Sequence, residues 1–171
     1  QRITLAQTQL QIATSNPQLH NMYQIYRNMY NAIGVKDVDA VLPPPAPTAP
    51  MDPSLEHINA LGGKPFQAFP GQDHRAHITA HLNFMSTNMV RNNPAVMASI
   101  QKNILEHISL MAQEQVQLEF REQMVNMQQM QQMAVNDPRI QQQVQMLTNQ
   151  IESRKAVLIA EMTEEFMKEE N

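Results

Sequence analysis

Three histidines stand close together in Asp73-His74-Arg75-Ala76-His77-Ile78-Thr79-Ala80-His81. On a helix, His74, His77 and His81 are spaced i, i+3 and i+7 and share roughly one face. Imidazole is a good zinc ligand, and three of them with a water would resemble a catalytic zinc shell. The i+3 spacing, with no carboxylate base nearby, does not match the zincin pattern. These histidines are therefore read as polar residues of a helix–helix interface, ahead of a metal site or a pH-sensitive contact. Glu106-His107 stands by itself and reads as surface or interface. Asp37-Val38-Asp39 lacks a third ligand at matching spacing. His74, His77 and His81 are the only metal candidates, and neither a metal nor a cofactor is assigned.

The rest of the chain offers no reaction. It has no Gly-rich phosphate loop, and no serine sits in a nucleophile elbow. Paired carboxylates occur only near the end, at Glu161, Glu164, Glu165, Glu169 and Glu170. They read as a solvated face, and because they oppose the helix dipole the last turn is expected to fray. The net charge is −4, and 12 Lys+Arg spread over 171 residues supply no basic face to replace DNA counterions. There is no cysteine, hence no disulfide, thiolate metal site or thiol nucleophile. No apolar run reaches the roughly 18–20 residues needed to cross a bilayer. These observations predict no catalytic residue, no enzyme and no membrane partner.

The elements that carry these residues are nearly all helical. Residues 1–14 read as the end of a helix, and with Gln1 in place of an initiator Met the chain is expected to be part of something larger. Asn16 caps and Pro17 opens a helix that runs to about Ile33, with Leu19, Met22, Tyr26, Met29 and Ile33 at helical spacing. Gly34 stands where a C′ glycine belongs, and Val35 to Leu42 make one further turn. Residues 43–70 hold eight of the eleven prolines, so 43–53 are predicted to be an extended spacer. Asp52-Pro53 starts a short helix that Gly62-Gly63 ends, and Phe66 and Phe69 pin the following loop to a helix. Asp73 caps a helix to about Arg91, with Ile78, Leu82, Met85 and Met89 as its apolar stripe. From Pro94 to about Val135 nothing breaks the helix, which would span ~60 Å. Asn136-Asp137-Pro138 starts a last helix toward Lys168, with Ile140, Val144, Leu147, Ile151, Leu158 and Met162 on one side. The predicted fold is mainly α, with long helices joined by a Pro-rich linker. Its parts are a helical module over 1–42, the linker with a short helix over 43–72, and a long-helix region over 73–171.

Met97, Ile104, Met111, Leu118 and Val125 recur every seven residues, and all are apolar. Such a repeat predicts packing against another long helix. The companion positions Ile100, His107, Glu114, Arg121 and Gln128 are mostly polar, which excludes a tight two-stranded zipper. A narrow seam of this kind fits a bundle or ring. The five residues are the predicted oligomer interface. Fourteen methionines, several in the segment 124–133, supply adaptable apolar surface.

One stretch resembles a known family. Asn16-Pro17-Gln18-Leu19-His20-Asn21-Met22-Tyr23-Gln24-Ile25-Tyr26-Arg27 leads to Ala32-Ile33-Gly34-Val35-Lys36-Asp37-Val38-Asp39-Ala40-Val41-Leu42-Pro43. It is similar to the C-terminal region of portal proteins of tailed bacteriophages, where a helix of this character precedes such a turn and a proline-rich break. The histidine segments at 73–81 and 104–108 resemble helices that follow in those proteins. The resemblance covers 16–43 well and 73–118 in part; beyond 120 only a helical, Gln-rich composition remains. It implies a homo-oligomeric ring of about twelve subunits at one capsid vertex of the virion. Such a ring seats the terminase motor and meets the capsid and the adaptor or tail proteins. It passes double-stranded DNA through its channel without sequence-specific contact, for packaging and ejection. The C-terminal part of these proteins commonly forms a helical crown or barrel, and the clip, stem and much of the wing would lie upstream of Gln1. The competing expectation is another helical virion scaffold, tail or coiled-coil adaptor component with no DNA channel.

Overall fold

A computed structural model describes residues 1–133 and 135–169. Among them the regular structure is helical, without a strand, as the composition predicts. None of these helices is long and apolar enough to cross a membrane. The chain divides into two compact units, Gln1–Pro47 and Thr48–Asn171. The short helix of the predicted linker falls within the second unit.

The first unit contains α1 (Arg2–Ser15), a 3₁₀ turn (Pro17–Leu19), α2 (Met22–Ala32) and α3 (Val38–Val41). The predicted continuous helix from Pro17 is instead a 3₁₀ turn followed by a fresh start. Asn21 provides that start, its side chain accepting from the Gln24 N–H at 3.2 Å. α1 and α2 pack together and bury Ala6, Ala13 and Ile25. Ile25 lies off the predicted stripe, and Leu19, Tyr26 and Ile33 of that stripe are exposed. Gly34 ends α2 with φ +85°, while the Val35 N–H reaches back to the Tyr30 carbonyl at 3.1 Å. This six-to-one bond requires a left-handed residue, which glycine adopts without strain. Arg27 bonds Asp39 and Tyr23, tying α3 to α2.

The second unit is built on α7 (Pro94–Glu119). α5 (His74–Met85) packs along it, α9 (Pro138–Glu169) packs along it elsewhere, and α4 (Pro53–Leu61) touches both α5 and α7. α6 (Asn88–Arg91) and α8 (Arg121–Met133) complete the unit. Its core gathers Ala60, Ile78, Val90, Val96, Ile100, Ile104, Ile108 and Phe166. A second cluster of Ala112, Val116 and Leu158 continues it along α7 and α9. Three of its starts obey local chemistry: Asp52, Asp73 and Asn93 accept from the N–H groups of Leu55, Ala76 and Val96.

Two helices are shorter than predicted. The helix expected to reach Arg91 stops at Met85, because the Ser86 and Thr87 hydroxyls donate to the carbonyls of Asn83 and Phe84 and offer the chain a turn. The helix expected to run unbroken from Pro94 to Val135 is interrupted at Phe120, with φ −105° and ψ 14°. The Phe120 N–H still reaches Val116 and the Met124 N–H still reaches Phe120, each at 2.9 Å, so the distortion spans one residue. No proline or glycine stands there; the interruption coincides with packing of the Phe120 ring on the second cluster. Ala134, within the same predicted helix, lies outside the described residues.

The last helix runs to Glu169, one residue beyond the predicted Lys168, with Phe166 buried and Lys168 paired with Glu164. Glu170 of the acidic group lies outside the described residues.

Arg154 on α9 grips Glu119 of α7 with two hydrogen bonds, 2.9 and 3.0 Å. This fork holds the Glu119 carboxyl well below the usual carboxylate range, at about 2, with Gln115 assisting. The folded state therefore favours the ionised form. The bridge is present above the ordinary carboxylate pKa and is lost as pH falls through about 2. Both side chains are solvent-exposed enough for salt to screen them, so the effect on stability is small. A carboxyl-detected NMR titration should place the Glu119 midpoint near 2, and Arg154→Ala should return it to the ordinary value. An unchanged midpoint in that variant would show that Arg154 does not set it.

Candidate functional site: a buried histidine–carboxylate cluster

The face of α5 predicted to carry three histidines turns inward. His74, His77 and His81 are all buried, as are His107 and Asn103 of α7. α4 adds Glu56 and His57. The Glu106-His107 pair, read from the sequence as surface or interface, is divided: His107 is fully buried, and Glu106 is partly buried at the edge of the cluster.

α4 is inside out. Glu56 is 1% exposed, whereas Ile58 is 63% exposed and Leu55 and Leu61 also face outward. An apolar helix face left in solvent with a carboxylate turned inward is the reverse of ordinary amphipathic packing. Moving an unpaired carboxylate out of water costs several kcal/mol or more unless its environment compensates.

The donor atoms converge. Glu56, His77, His81 and His107 each place one ligand-type atom within 4.8 Å of the others. Glu56 Oε1 lies 2.8 Å from His77 Nδ1. Those two atoms, with Glu56 Oε2 and His107 Nε2, nonetheless lack a hydrogen-bond partner of acceptable alignment. Groups this deeply buried are almost always satisfied, so four unsatisfied atoms at one point demand a cause.

An outer layer fixes the rings. His74 Nε2 lies 3.1 Å from Glu114 Oε1, and His74 Nδ1 lies 2.8 Å from His107 Nδ1. A carboxylate accepts, so His74 carries its proton on Nε2. For a neutral ring its Nδ1 then accepts from the His107 Nδ1–H. This assignment leaves His107 Nε2 with a bare lone pair facing Glu56 and His77. On the other side, His81 Nε2 meets Asn103 Oδ1 at 2.8 Å and His81 Nδ1 meets His57 Nε2 at 2.8 Å. Asn103 Nδ2 points to Glu106 Oε2 at 3.5 Å, and His57 stacks on Phe84 with centroids 4.0 Å apart. Glu106 also accepts from the Ala68 N–H, and Glu114 from the Gly71 N–H. With Phe66 packed on the core, these bonds hold the loop over 64–72 against α7.

Burial dominates the electrostatics. It pushes the Glu56 carboxyl up to about 7, with Asp52 and Glu106 adding to the rise. It pushes His81 down to about 4, helped by His57, and His107 down to about 3, helped by the rings around it. His57 and His77 are lowered for the same leading reason. At neutral pH these rings are therefore neutral, each with one nitrogen lone pair. The cluster can hold a cation, and its buried position gives a substrate no evident approach.

The predicted interface residues separate. Ile104 is 8% exposed in the core, and Met97 and Met111 are half-buried against it. Leu118 is 67% exposed and Val125 49%. A seven-residue stripe drifts by about 20° per repeat on a straight α-helix. The buried face instead follows Val96, Ile100, Ile104, Ile108, Ala112 and Val116 at steps of four. The stripe crosses this face at Ile104 and emerges from it by Leu118.

No family model, curated protein or solved structure matches the chain.

Proposed function

We propose that the chain is a structural segment of a tailed-bacteriophage portal ring, with no reaction of its own, and that exposed apolar side chains of α7 and α8 meet a neighbouring copy. The observation that carries this is α8. Among its described residues none is buried, yet it presents Met124, Val125, Met127, Met130 and Met133. α8 continues α7 past Phe120, where the backbone bonds persist, yet none of its described side chains reaches a core. α9 alone leaves Val125 and Met133 uncovered. Leu118, two residues before the Phe120 interruption, extends the same uncovered surface. A neighbour in a closed ring, contacting a different patch on each side, would cover it. The resemblance over residues 16–43 supplies the identity of the ring, and the glycine-capped turn at Gly34 with the Arg27–Asp39 pair supports it locally.

The test is the native mass of the intact protein together with negative-stain class averages. A closed ring of about a dozen copies with a central hole is expected. A monomer, or a bundle of two to four chains, would overturn the proposal in favour of a helical adaptor or scaffold.

A further inference from the structure

We infer that Glu56, His77, His81 and His107 bind one divalent cation of the zinc class, and that this ion clips α4, α5 and α7 together. Three observations converge on it. Four buried side chains from three helices aim ligand atoms at one point, all within 4.8 Å of one another. Three of those side chains, Glu56, His77 and His107, carry atoms there that find no hydrogen-bond partner among the described residues. The Glu56 and His77 atoms approach to 2.8 Å without hydrogen-bond alignment, as two ligands of a common centre do.

The donor set selects the metal. Three neutral imidazoles and one carboxylate suit zinc and its neighbours in the first transition row, while calcium and magnesium demand oxygen donors. Tetrahedral zinc with bonds near 2.0–2.1 Å spaces its ligand atoms about 3.3 Å apart. The cluster reaches that spacing when its wider pairs draw in on the ion and the 2.8 Å pair of Glu56 and His77 opens slightly. His81 now engages both nitrogens; as a ligand it keeps its contact with His57, holds its proton on Nδ1, and turns Nε2 from Asn103 to the ion. The second layer is in place as well. Glu114 orients His107 through His74, so a chain ending in a carboxylate stands behind that ring, while His57 holds the His81 ring from its Nδ1 side. The ligand carboxylate offsets one of the ion's two positive charges, and the two outer carboxylates more than offset the other. All four ligands are buried, which marks the site as structural and closed.

The experiment uses the intact protein, stripped with a chelator and then given zinc chloride alone. The expected result is one zinc per chain and a melting temperature that climbs with zinc concentration. Cobalt in its place should give visible absorption bands of a four-coordinate site. Glu56→Gln and His107→Ala should lose stoichiometric zinc. Because these core variants can also disturb folding, Glu114→Gln is the deciding one. It changes a partly exposed outer residue, and should keep the parent's helix content while binding zinc about 10–100-fold more weakly. Less than stoichiometric zinc in the parent chain, with no shift in melting temperature, would overturn the inference. So would zinc affinity unaltered in Glu56→Gln and Glu114→Gln, since the ion would then sit elsewhere. Ring formation does not enter these readouts, so this test and the test of the portal reading can fail separately.

Discussion

Ile104→Asp should unfold the second unit of the chain, while Leu118→Asp, a change of the same kind two heptads on, should leave the fold intact and abolish assembly. Ile104 is 8% exposed and packs with Ile78, Ile100 and Ile108. No partner for a carboxylate stands among those side chains. The substitution removes a buried apolar group and strands a polar one, two costs that together exceed about 4 kcal/mol. That is a large part of the 5–15 kcal/mol available to a typical domain. Leu118 is 67% exposed, and a surface substitution shifts stability by no more than about 0.5 kcal/mol. Its effect should appear only where copies meet. Urea denaturation followed by circular dichroism measures the first quantity, and native mass measures the second. An Ile104→Asp protein that melts like its parent would refute the core described above. Intact rings from Leu118→Asp would show that this surface is not the contact between copies.

Phe166→Ala should cost about 3–5 kcal/mol and release the C-terminal turns of α9. Phe166 is 2% exposed and belongs to the same core as Ile78 and Ile100, although it comes from the last turns of the helix. It is the side chain that fastens those turns. Arg75 lies over its ring at 5.2 Å and also pairs with Glu165 at 2.8 Å, closing α5 over α9. That pair is half exposed, so Arg75→Ala should cost no more than about 1 kcal/mol. The contrast is the test: a large loss for Phe166→Ala, a small one for Arg75→Ala, and most of the loss recovered in Phe166→Leu. Amide exchange should localise the loss to the end of α9. Equal effects of the alanine variants at Phe166 and Arg75 would mean that the ion pair, and not the buried ring, holds the helix.

Local chemistry made much of the architecture legible. The Asp-Pro and Asn-Pro starts at 52–53 and 93–94 and the glycine stops at Gly34 and Gly63 are decided within a few residues by caps, a fixed proline φ and freedom at positive φ. They follow from the sequence wherever the chain packs. So does the mainly helical class, and so does the shared face of His74, His77 and His81. Ser86 and Thr87 offer a local turn, which the apolar stripe running on to Met89 conceals.

What those faces meet belongs to tertiary structure alone. Glu56 is 21 positions before His77, and His107 is 30 after it, and helical periodicity does not reach across such distances. The absence of a nearby carboxylate set the histidines aside in the sequence; the packing of α4 on α5 and α7 brings one to within 2.8 Å of His77. The heptad stripe and the buried face of α7 part for the matching reason. Its spacing identifies residues that repeat, while the partners α5 and α9 choose which side of α7 is covered, and they choose the side that steps by four. Capping and turn preferences act over one helical turn, and so the capped starts and the glycine stops were determined by the sequence itself, whereas the break at Phe120 goes with its packing on the second cluster. Burial and donor convergence depend on which helices become neighbours, and only the folded packing of α4, α5, α7 and α9 decided that.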